Sequence, residues 1–166
     1  MAEPHPLFDL SGRVALVSGA AQGVGRAMSL AFAEVGADLM LADLNEEGAR
    51  ETAREIEAMG RRAIPVCCDV SEPEQIRSMF ARLDSEFGRI DVLANVAGGE
   101  VSLGPPEDAD LDTVGASMQS LVIGRFCCCQ EAGRRMLAAG KGSIINIVSI
   151  AGVTALGRGH TPYSMA

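Results

Sequence analysis

Short apolar runs alternate along the chain with longer segments in which apolar residues recur at helical spacing. The runs predict five strands, at residues 14–18, 38–43, 63–68, 92–96 and 143–149. The first run is apolar at nearly every position, which is typical of a strand buried on both faces. Strands that alternate with helices indicate parallel pairing, with helices covering both faces of the sheet. The pattern therefore predicts an α/β fold with a doubly wound parallel sheet.

The segments between the strands predict the helices. They are expected at 23–35, 46–59, 72–87, 110–139 and from Tyr163 onward, with loops at 98–106 and 152–162. Asn45 is expected to cap the second helix. The sequence Ser-Glu-Pro-Glu that begins at Ser71 has the spacing of a capping box with a proline in the first turn. We therefore expect Ser71 to cap the third helix and Gly88 to end it.

The amino-acid composition limits the kinds of molecule that the chain is expected to bind. With 14 basic and 22 acidic residues, the chain has a net charge of −8 and a pI of about 4.7. Nucleic acid and anionic membranes are disfavoured, because phosphate binding needs clustered lysine and arginine. No apolar run is long enough to span a bilayer, and the first ten residues lack the pattern of a signal peptide. We expect a cytoplasmic protein whose 166 residues form a single domain.

Five cysteines lie in two clusters, at residues 67–68 and 127–129. Neighbouring residues point to opposite faces of a strand and fan out around a helix, so neither cluster can form a metal cage. No Cys-x-x-Cys spacing occurs. We expect no metal site, and we interpret the cysteines as small buried residues in a reducing compartment.

A glycine-rich turn joins the first predicted strand to the first helix. Its sequence from Ser18 onward is Ser-Gly-Ala-Ala-Gln-Gly-Val-Gly, with the spacing Gly-x-x-x-Gly-x-Gly. Glycines in such a turn permit positive φ angles and bring backbone amides close to a pyrophosphate at the helix N-terminus. The position of the turn between a buried strand and a helix favours a nucleotide loop over a purely structural turn. The residues expected to contact the nucleotide are Gly19, Gln22, Gly23, Val24 and Gly25.

Asp43 ends the second predicted strand, eighteen residues after Gly25. A carboxylate at that place can accept a hydrogen bond from the adenosine ribose, although an ordinary loop carboxylate is the alternative. Its charge would repel the 2′-phosphate of NADP. Leu44 follows it, and no arginine lies between Gly19 and Gly25 to offset that repulsion. The sequence therefore favours NAD over NADP.

Further motifs complete a resemblance to a known family. They are Asp69-Val70 after the third strand, Asn95-Val96-Ala97-Gly98 after the fourth, the fifth strand ending at Ser149, and Tyr163 fourteen residues later. Together with the glycine-rich turn they resemble the short-chain dehydrogenase/reductase family of the classical Tyr-x-x-x-Lys type, over nearly the whole chain. The resemblance implies a Rossmann sheet of order 3-2-1-4-5-6-7, of which strands six and seven would be missing from these 166 residues.

The resemblance also implies roles for individual residues. Asp69 and Val70 would hold the adenine, although Asp69 could equally cap the turn before Ser71. Asn95, Ala97 and Gly98 would line the adenosine side, although Asn95 could be wholly structural.

The resemblance assigns the chemistry to two hydroxyl groups. Ser149 would hydrogen-bond the substrate oxygen, and Tyr163 would be the general acid or base. The family usually has an asparagine of a proton relay three residues before a glycine in the long helix. Here that position is Leu121, beside Ser120, so that either the relay is remodelled or the alignment shifts by one.

Tyrosine chemistry makes the next positions important. A free tyrosine has a pKa near 10, so acting as a base near neutral pH requires a fall of about three pH units, or about 4 kcal/mol. In the family, a lysine four residues after the tyrosine supplies that effect, and here its position would follow Ala166. Lys141, the sole lysine, is expected at the far end of the fifth strand. We therefore expect the 166-residue chain to be inactive, with an exposed, aggregation-prone fifth strand.

Two functions remain open at this stage. The first is an NAD(P)-dependent oxidoreductase that transfers hydride between nicotinamide and a secondary alcohol or ketone, with sugar acids and 3-oxoacyl thioesters as substrate types. The full-length protein would then be a homo-oligomer. The alternative is a non-catalytic nucleotide-binding module or an inactive remnant.

Overall fold

A computed structural model describes residues 5–98, 105–154 and 158–166. Its sheet consists of the strands β1 Val14–Ser18, β2 Asp38–Asp43, β3 Ala63–Cys67, β4 Val92–Asn95 and β5 Ser143–Asn146. All the pairings are parallel, and the order is β3-β2-β1-β4-β5. The predicted α/β doubly wound fold is confirmed for these five strands.

Helices connect the strands on both faces of the sheet. They are α1 Gly23–Glu34, α2 Glu46–Ala58, α3 Pro73–Phe87, α4 Leu111–Met118, α5 Arg125–Ala139 and α6 Thr161–Met165. A π-helical segment, Gln119–Gly124, joins α4 to α5, so the long helix predicted at 110–139 is present with a widened middle. Four short 3-10 turns lie at Pro6–Phe8, Pro106–Asp108, Ile150–Gly152 and Arg158–His160. The predicted loops at 98–106 and 152–162 fall partly outside the described residues.

The helix termini agree with the predicted signals except at the start of α3. Asn45 accepts from the backbone N–H of Gly48, and Gly88 ends α3 with a positive φ of 68°. The predicted capping box at Ser71 is wrong, because Glu72 precedes α3 without a side-chain cap. The Ser71 hydroxyl donates instead to Asp69 Oδ1 at 2.7 Å, so the nearer carboxylate competes successfully for it.

Strand β5 is shorter than predicted, since it ends at Asn146 and not at Ser149. β4 stops at Asn95, whose carbonyl accepts from Ile147 N at 3.0 Å, and beyond that bond β5 has no strand partner. The chain then turns at Ser149, whose Oγ accepts from Ala151 N at 3.2 Å. β1 is buried at every position, whereas most of β5 is exposed.

Two apolar layers pack against the faces of the sheet. One contains Phe80, Leu83 and Met79 of α3 together with Cys128 of α5, and the other contains Ile56 and Ala53 of α2.

The cysteines take different positions in these layers. Cys68, Cys127 and Cys128 are buried, but Cys67 is exposed at the end of the edge strand β3, so the expectation of burial is wrong for that residue. Burial, reinforced by the neighbouring Asp69 charge, raises the pKa of Cys68 to about 12. Burial likewise raises the pKa of Cys128 to about 12. Both stay protonated thiols and are poor nucleophiles or metal ligands.

None of the helices in the described part of the chain is long and apolar enough to cross a membrane. Within the same residues, no three His, Cys, Asp or Glu side chains come together as metal ligands would.

Candidate active site

The glycine-rich turn is held by close backbone packing. Gly19 has a φ of +75°, and a Cβ at this position would lie 2.9 Å from Ala97 N. A Cβ on Gly25 would overlap the carbonyl oxygen of Gly19. Gly23 has a φ of +55° with no atom within 4 Å of a Cβ, so it is required for conformation alone. Side chains are thus excluded by close packing at Gly19 and Gly25, and by backbone conformation at Gly23.

A pocket of about 410 Å³ opens in front of this turn, at the carboxyl ends of β1, β2, β3 and β4. It brings together nine of the residues predicted to bind the cofactor, which are Gly19, Gln22, Val24, Gly25, Asp43, Asp69, Val70, Ala97 and Gly98. Its remaining lining residues are Val96, within the predicted 95–98 segment, and the unpredicted Ala42, Leu44, Cys68, Ser120 and Ile147.

Two predicted residues do not line this pocket. Gly23 sits in the turn but outside the pocket lining. Asn95 is buried, and its Nδ2 donates to Asn146 Oδ1 at 2.9 Å, which ties β4 to β5. This bond is of the kind expected from the structural alternative for Asn95, and the cofactor role stays a prediction.

Asp43 is fixed at the edge of the pocket. Its Oδ2 accepts from Ala21 N and its Oδ1 accepts from Asn45 N, each at 2.9 Å. The carboxylate therefore connects the glycine-rich turn to the start of α2. Each carboxylate oxygen has a second lone pair, so the group can still accept hydrogen bonds from a ligand.

Asp69 both caps a turn and faces the pocket. Its Oδ1 accepts from Ser71 N at 2.8 Å and from the Ser71 hydroxyl at 2.7 Å. Its backbone N–H donates to Gln75 Oε1. The capping alternative is thus present, and the described hydrogen bonds leave Oδ2 for a ligand.

Ser18 is an unpredicted member of the site. Its buried hydroxyl oxygen accepts from Val96 N at 3.1 Å and from Ala97 N at 3.2 Å. These bonds hold the end of β4 against the glycine-rich turn. The signal in the sequence is a hydroxyl residue at the end of an apolar strand, directly before a glycine.

The π-helical segment closes the pocket on its β3 side. A Cβ on Gly124 would overlap the carbonyl oxygen of Val70, so the helix backbone lies directly on that turn. Gln119 Nε2 donates to Ser71 O at 2.9 Å. π-helical segments of this kind occur frequently at functional sites.

A second pocket, of about 300 Å³, contains the predicted catalytic pair Ser149 and Tyr163. The other residues around it are Leu121, Arg125, Ile147, Val148, Gly152, Ser164, Met165 and Ala166. Ile147 lines both pockets, so the two adjoin. Because Ser149 Oγ accepts from Ala151 N, its own hydrogen is available to donate. Lys141 lies before β5, at the end of that strand opposite Ser149.

The sheet order, the glycine-rich turn and the pocket at the carboxyl ends of the strands define a Rossmann-type α/β protein. The family model described as short chain dehydrogenase matches residues 13–166. The chain belongs to this family.

Individual relatives agree with that assignment. The chain is 38% identical to D-threitol dehydrogenase of Mycolicibacterium smegmatis, over 94% of this chain and 59% of the relative. A short-chain type dehydrogenase/reductase from Mycobacterium marinum superposes with a TM-score of 0.90 at 34% identity, covering 96% of this chain and 63% of that one. NAD⁺-bound xylitol dehydrogenase superposes with a TM-score of 0.89 at 29% identity, covering 94% and 60%. The chain thus spans about three fifths of the length of these proteins.

Proposed function

We propose that the protein containing this chain is an NAD-dependent dehydrogenase that oxidises a secondary alcohol to a ketone, or catalyses the reverse reduction. The observation that carries the proposal is the adjacency of two pockets, of which one has nine predicted nucleotide contacts and the other has Ser149 and Tyr163. A hydride donor and acceptor must meet at such a junction.

The residues around the larger pocket fit a dinucleotide. Because Gly25 has no Cβ, the Gly19 carbonyl can pack against the N-terminus of α1, where backbone amides favour a pyrophosphate. Asp43 would accept from the adenosine ribose, while Asp69 and Val70 would face the adenine. When bound, the nicotinamide supplies the hydride acceptor. Asp43 and the exposed Leu44 offer no cation for a 2′-phosphate, which favours NAD.

Residues of the smaller pocket would transfer the proton of the substrate hydroxyl group. Ser149 would donate to the substrate oxygen and orient it. Tyr163 would take the hydroxyl proton during oxidation and return it during reduction, and such positioned proton transfer contributes about 10²- to 10⁴-fold to rate. A neutral hydroxyl group cannot do this efficiently without a nearby positive charge, since its pKa must fall.

Several relatives act on small polar alcohols, as the names D-threitol dehydrogenase and xylitol dehydrogenase state. A pocket of about 300 Å³ suits a small substrate of this kind. We propose a polyol-sized secondary alcohol or sugar acid as substrate, with 3-oxoacyl thioesters as the other type. Three expectations stay predictions: that the protein is cytoplasmic, that the full-length protein is a homo-oligomer, and that residues 1–166 form a single domain.

A second function has its own support. Residues 19–98 supply most of the nucleotide pocket, whereas Lys141 lines neither that pocket nor the one that contains Tyr163. A nucleotide-binding module without turnover is therefore the alternative. NADH formation by the complete protein with a panel of secondary alcohols separates the two. Turnover supports the dehydrogenase, and NAD binding without turnover of any member supports the module.

The Asp43→Asn variant is expected to weaken NAD binding about 10- to 100-fold, because a charge-assisted hydrogen bond to the ribose is lost. Asparagine also cannot accept from both Ala21 N and Asn45 N, so the turn should loosen. Binding of NADP should weaken less, or improve, since the repulsive charge is gone. Isothermal titration with both cofactors measures the effect.

The matched control is Asp112→Asn, which removes an exposed charge in α4 away from the pocket. It should leave both affinities unchanged. Equal weakening of NAD and NADP by Asp43→Asn would contradict the ribose contact, because that contact discriminates between the two.

A further inference from the structure

Arg125 is unusual among the arginines of this chain. Among those whose side chains are described, it alone has no ion pair; the others contact Asp or Glu side chains. It is half-buried, and its Nε is buried without a hydrogen-bond partner among the described residues. The chain has 22 acidic residues and a net charge of −8, so carboxylate partners are abundant. A partly buried guanidinium without a partner is unfavourable, and its presence here needs an explanation.

The position of Arg125 explains why its guanidinium is unpaired. It lines the smaller pocket together with the Ser149 and Tyr163 hydroxyl groups. Leu121, one helical turn earlier, lines the same pocket, so Arg125 belongs to the helix face turned towards the reacting centre. None of the side chains around that pocket is a carboxylate. Among the described residues, the pocket therefore offers a cation with no side-chain counterion.

A second observation concerns how the arginine is anchored. Arg125 also borders a narrow gap, too small for a water molecule, together with Ser18, Ser120 and Asn95. Asn95 Oδ1 is likewise buried without a partner among the described residues, so two residues that border this gap carry an unpaired donor and an unpaired acceptor. If the gap closed and brought them together, Arg125 Nε would donate to Asn95 Oδ1. The terminal nitrogens would remain for the pocket, as a forked donor that matches a carboxylate.

We propose that Arg125 binds a carboxylate of the substrate, so that the substrate is a hydroxy acid or its oxo acid. This rests on the proposed dehydrogenase function and names its substrate class. An unpaired guanidinium in a partly desolvated pocket discriminates in favour of the anion that satisfies it. A single cation surrounded by Leu121, Val148 and Met165 suits a carboxylate better than a phosphate dianion, which needs more donors.

The experiment compares substrates in matched pairs with the complete, NAD-saturated protein. Each pair contains a polyol and the acid with a carboxylate in place of one terminal CH₂OH, for example threitol with threonate and xylitol with xylonate. The Arg125→Met variant is expected to lower kcat/KM for the acid about 10- to 100-fold, mostly through KM, and to leave that for the polyol within about twofold. Arg125→Lys should restore part of the loss.

The control is Arg134→Met, which removes a side chain that is exposed in the same helix and paired with Glu131. It should change neither member of a pair. Direct titration of each acid into the NAD-bound protein supplies a readout that does not depend on turnover, and Arg125→Met should weaken it by the same factor.

Three results would overturn the proposal. One is an equal loss for acid and polyol with a changed pH profile, which would make Arg125 an activator of Tyr163. Another is a wild-type protein that neither binds nor oxidises the acid of any pair. The third is an acid preference that persists in Arg125→Met. In all three, the wild-type protein can still bind NAD and oxidise the polyols, so the proposed function is judged separately.

Discussion

Replacing Gly25 by alanine is expected to abolish dinucleotide binding, with a loss of at least about 100-fold in affinity. The added methyl group would overlap the carbonyl oxygen of Gly19. Gly19 cannot retreat, because its own α-carbon is packed against the Ala97 backbone and its N–H donates to Ala42 O at 2.8 Å. The turn must therefore open, and several amide contacts to the pyrophosphate would be lost together, each worth about 1.5–3 kcal/mol.

A glycine-to-alanine substitution outside the turn separates the loss of NAD binding from any general effect of the added methyl group on stability. Gly133 lies inside α5, and a Cβ there would meet no atom within 4 Å. Gly133→Ala should raise stability by up to about 1 kcal/mol, since alanine favours a helix interior, and should leave NAD affinity unchanged. Titration calorimetry on both variants, with thermal unfolding as a check on folding, gives the comparison. A Gly25→Ala protein that binds NAD as tightly as the wild type would contradict the pyrophosphate site.

Replacing Tyr163 by phenylalanine is expected to lower kcat about 10²- to 10⁴-fold in the complete protein, because the group that exchanges the substrate proton is removed. NAD affinity should hardly change, since Tyr163 lines the smaller pocket and not the nucleotide pocket. The variant therefore separates the two pockets by function. Steady-state rates with a secondary alcohol and the Kd for NAD are the two quantities to measure.

His160→Gln provides the comparison for Tyr163→Phe. His160 immediately precedes α6 and makes no side-chain cap to it, so its replacement should leave kcat and NAD affinity unchanged. Retention of a substantial rate by Tyr163→Phe would mean that another group moves the proton. A parallel loss of rate in His160→Gln would mean that the segment is sensitive to any change.

The architecture could be predicted from the sequence because apolar periodicity depends on local spacing. β1 and β2 begin and end where the pattern places them, and their pairing follows from the alternation of strands with helices. The C-terminal end of β5 could not be predicted, because it depends on where β4 stops offering hydrogen bonds. Ser71 shows a similar limit: its spacing fits a cap, but Asp69 is closer and takes the hydroxyl.

Most residues of the larger pocket were accessible to sequence reasoning because they lie within short motifs at strand ends. Ser120 and Arg125 were not, since they reach the pockets across a helix packed on turns more than fifty residues away in sequence. The overlap that a side chain at Gly124 would make with Val70 belongs to the same class of long-range contact. Such contacts depend on how distant parts of the chain pack, so a local sequence pattern does not predict them.

The most direct test of the central claim is thermal unfolding of this chain with increasing NAD or NADP. A ligand that binds only the folded state adds about 2.7 kcal/mol of stability at one hundred times its Kd. We expect clear stabilisation by NAD and much less by NADP at equal concentration, because the proposed ribose contact of Asp43 would repel the 2′-phosphate. Absence of stabilisation by NAD, or equal stabilisation by both, would contradict a dinucleotide seated at α1 with its ribose on Asp43.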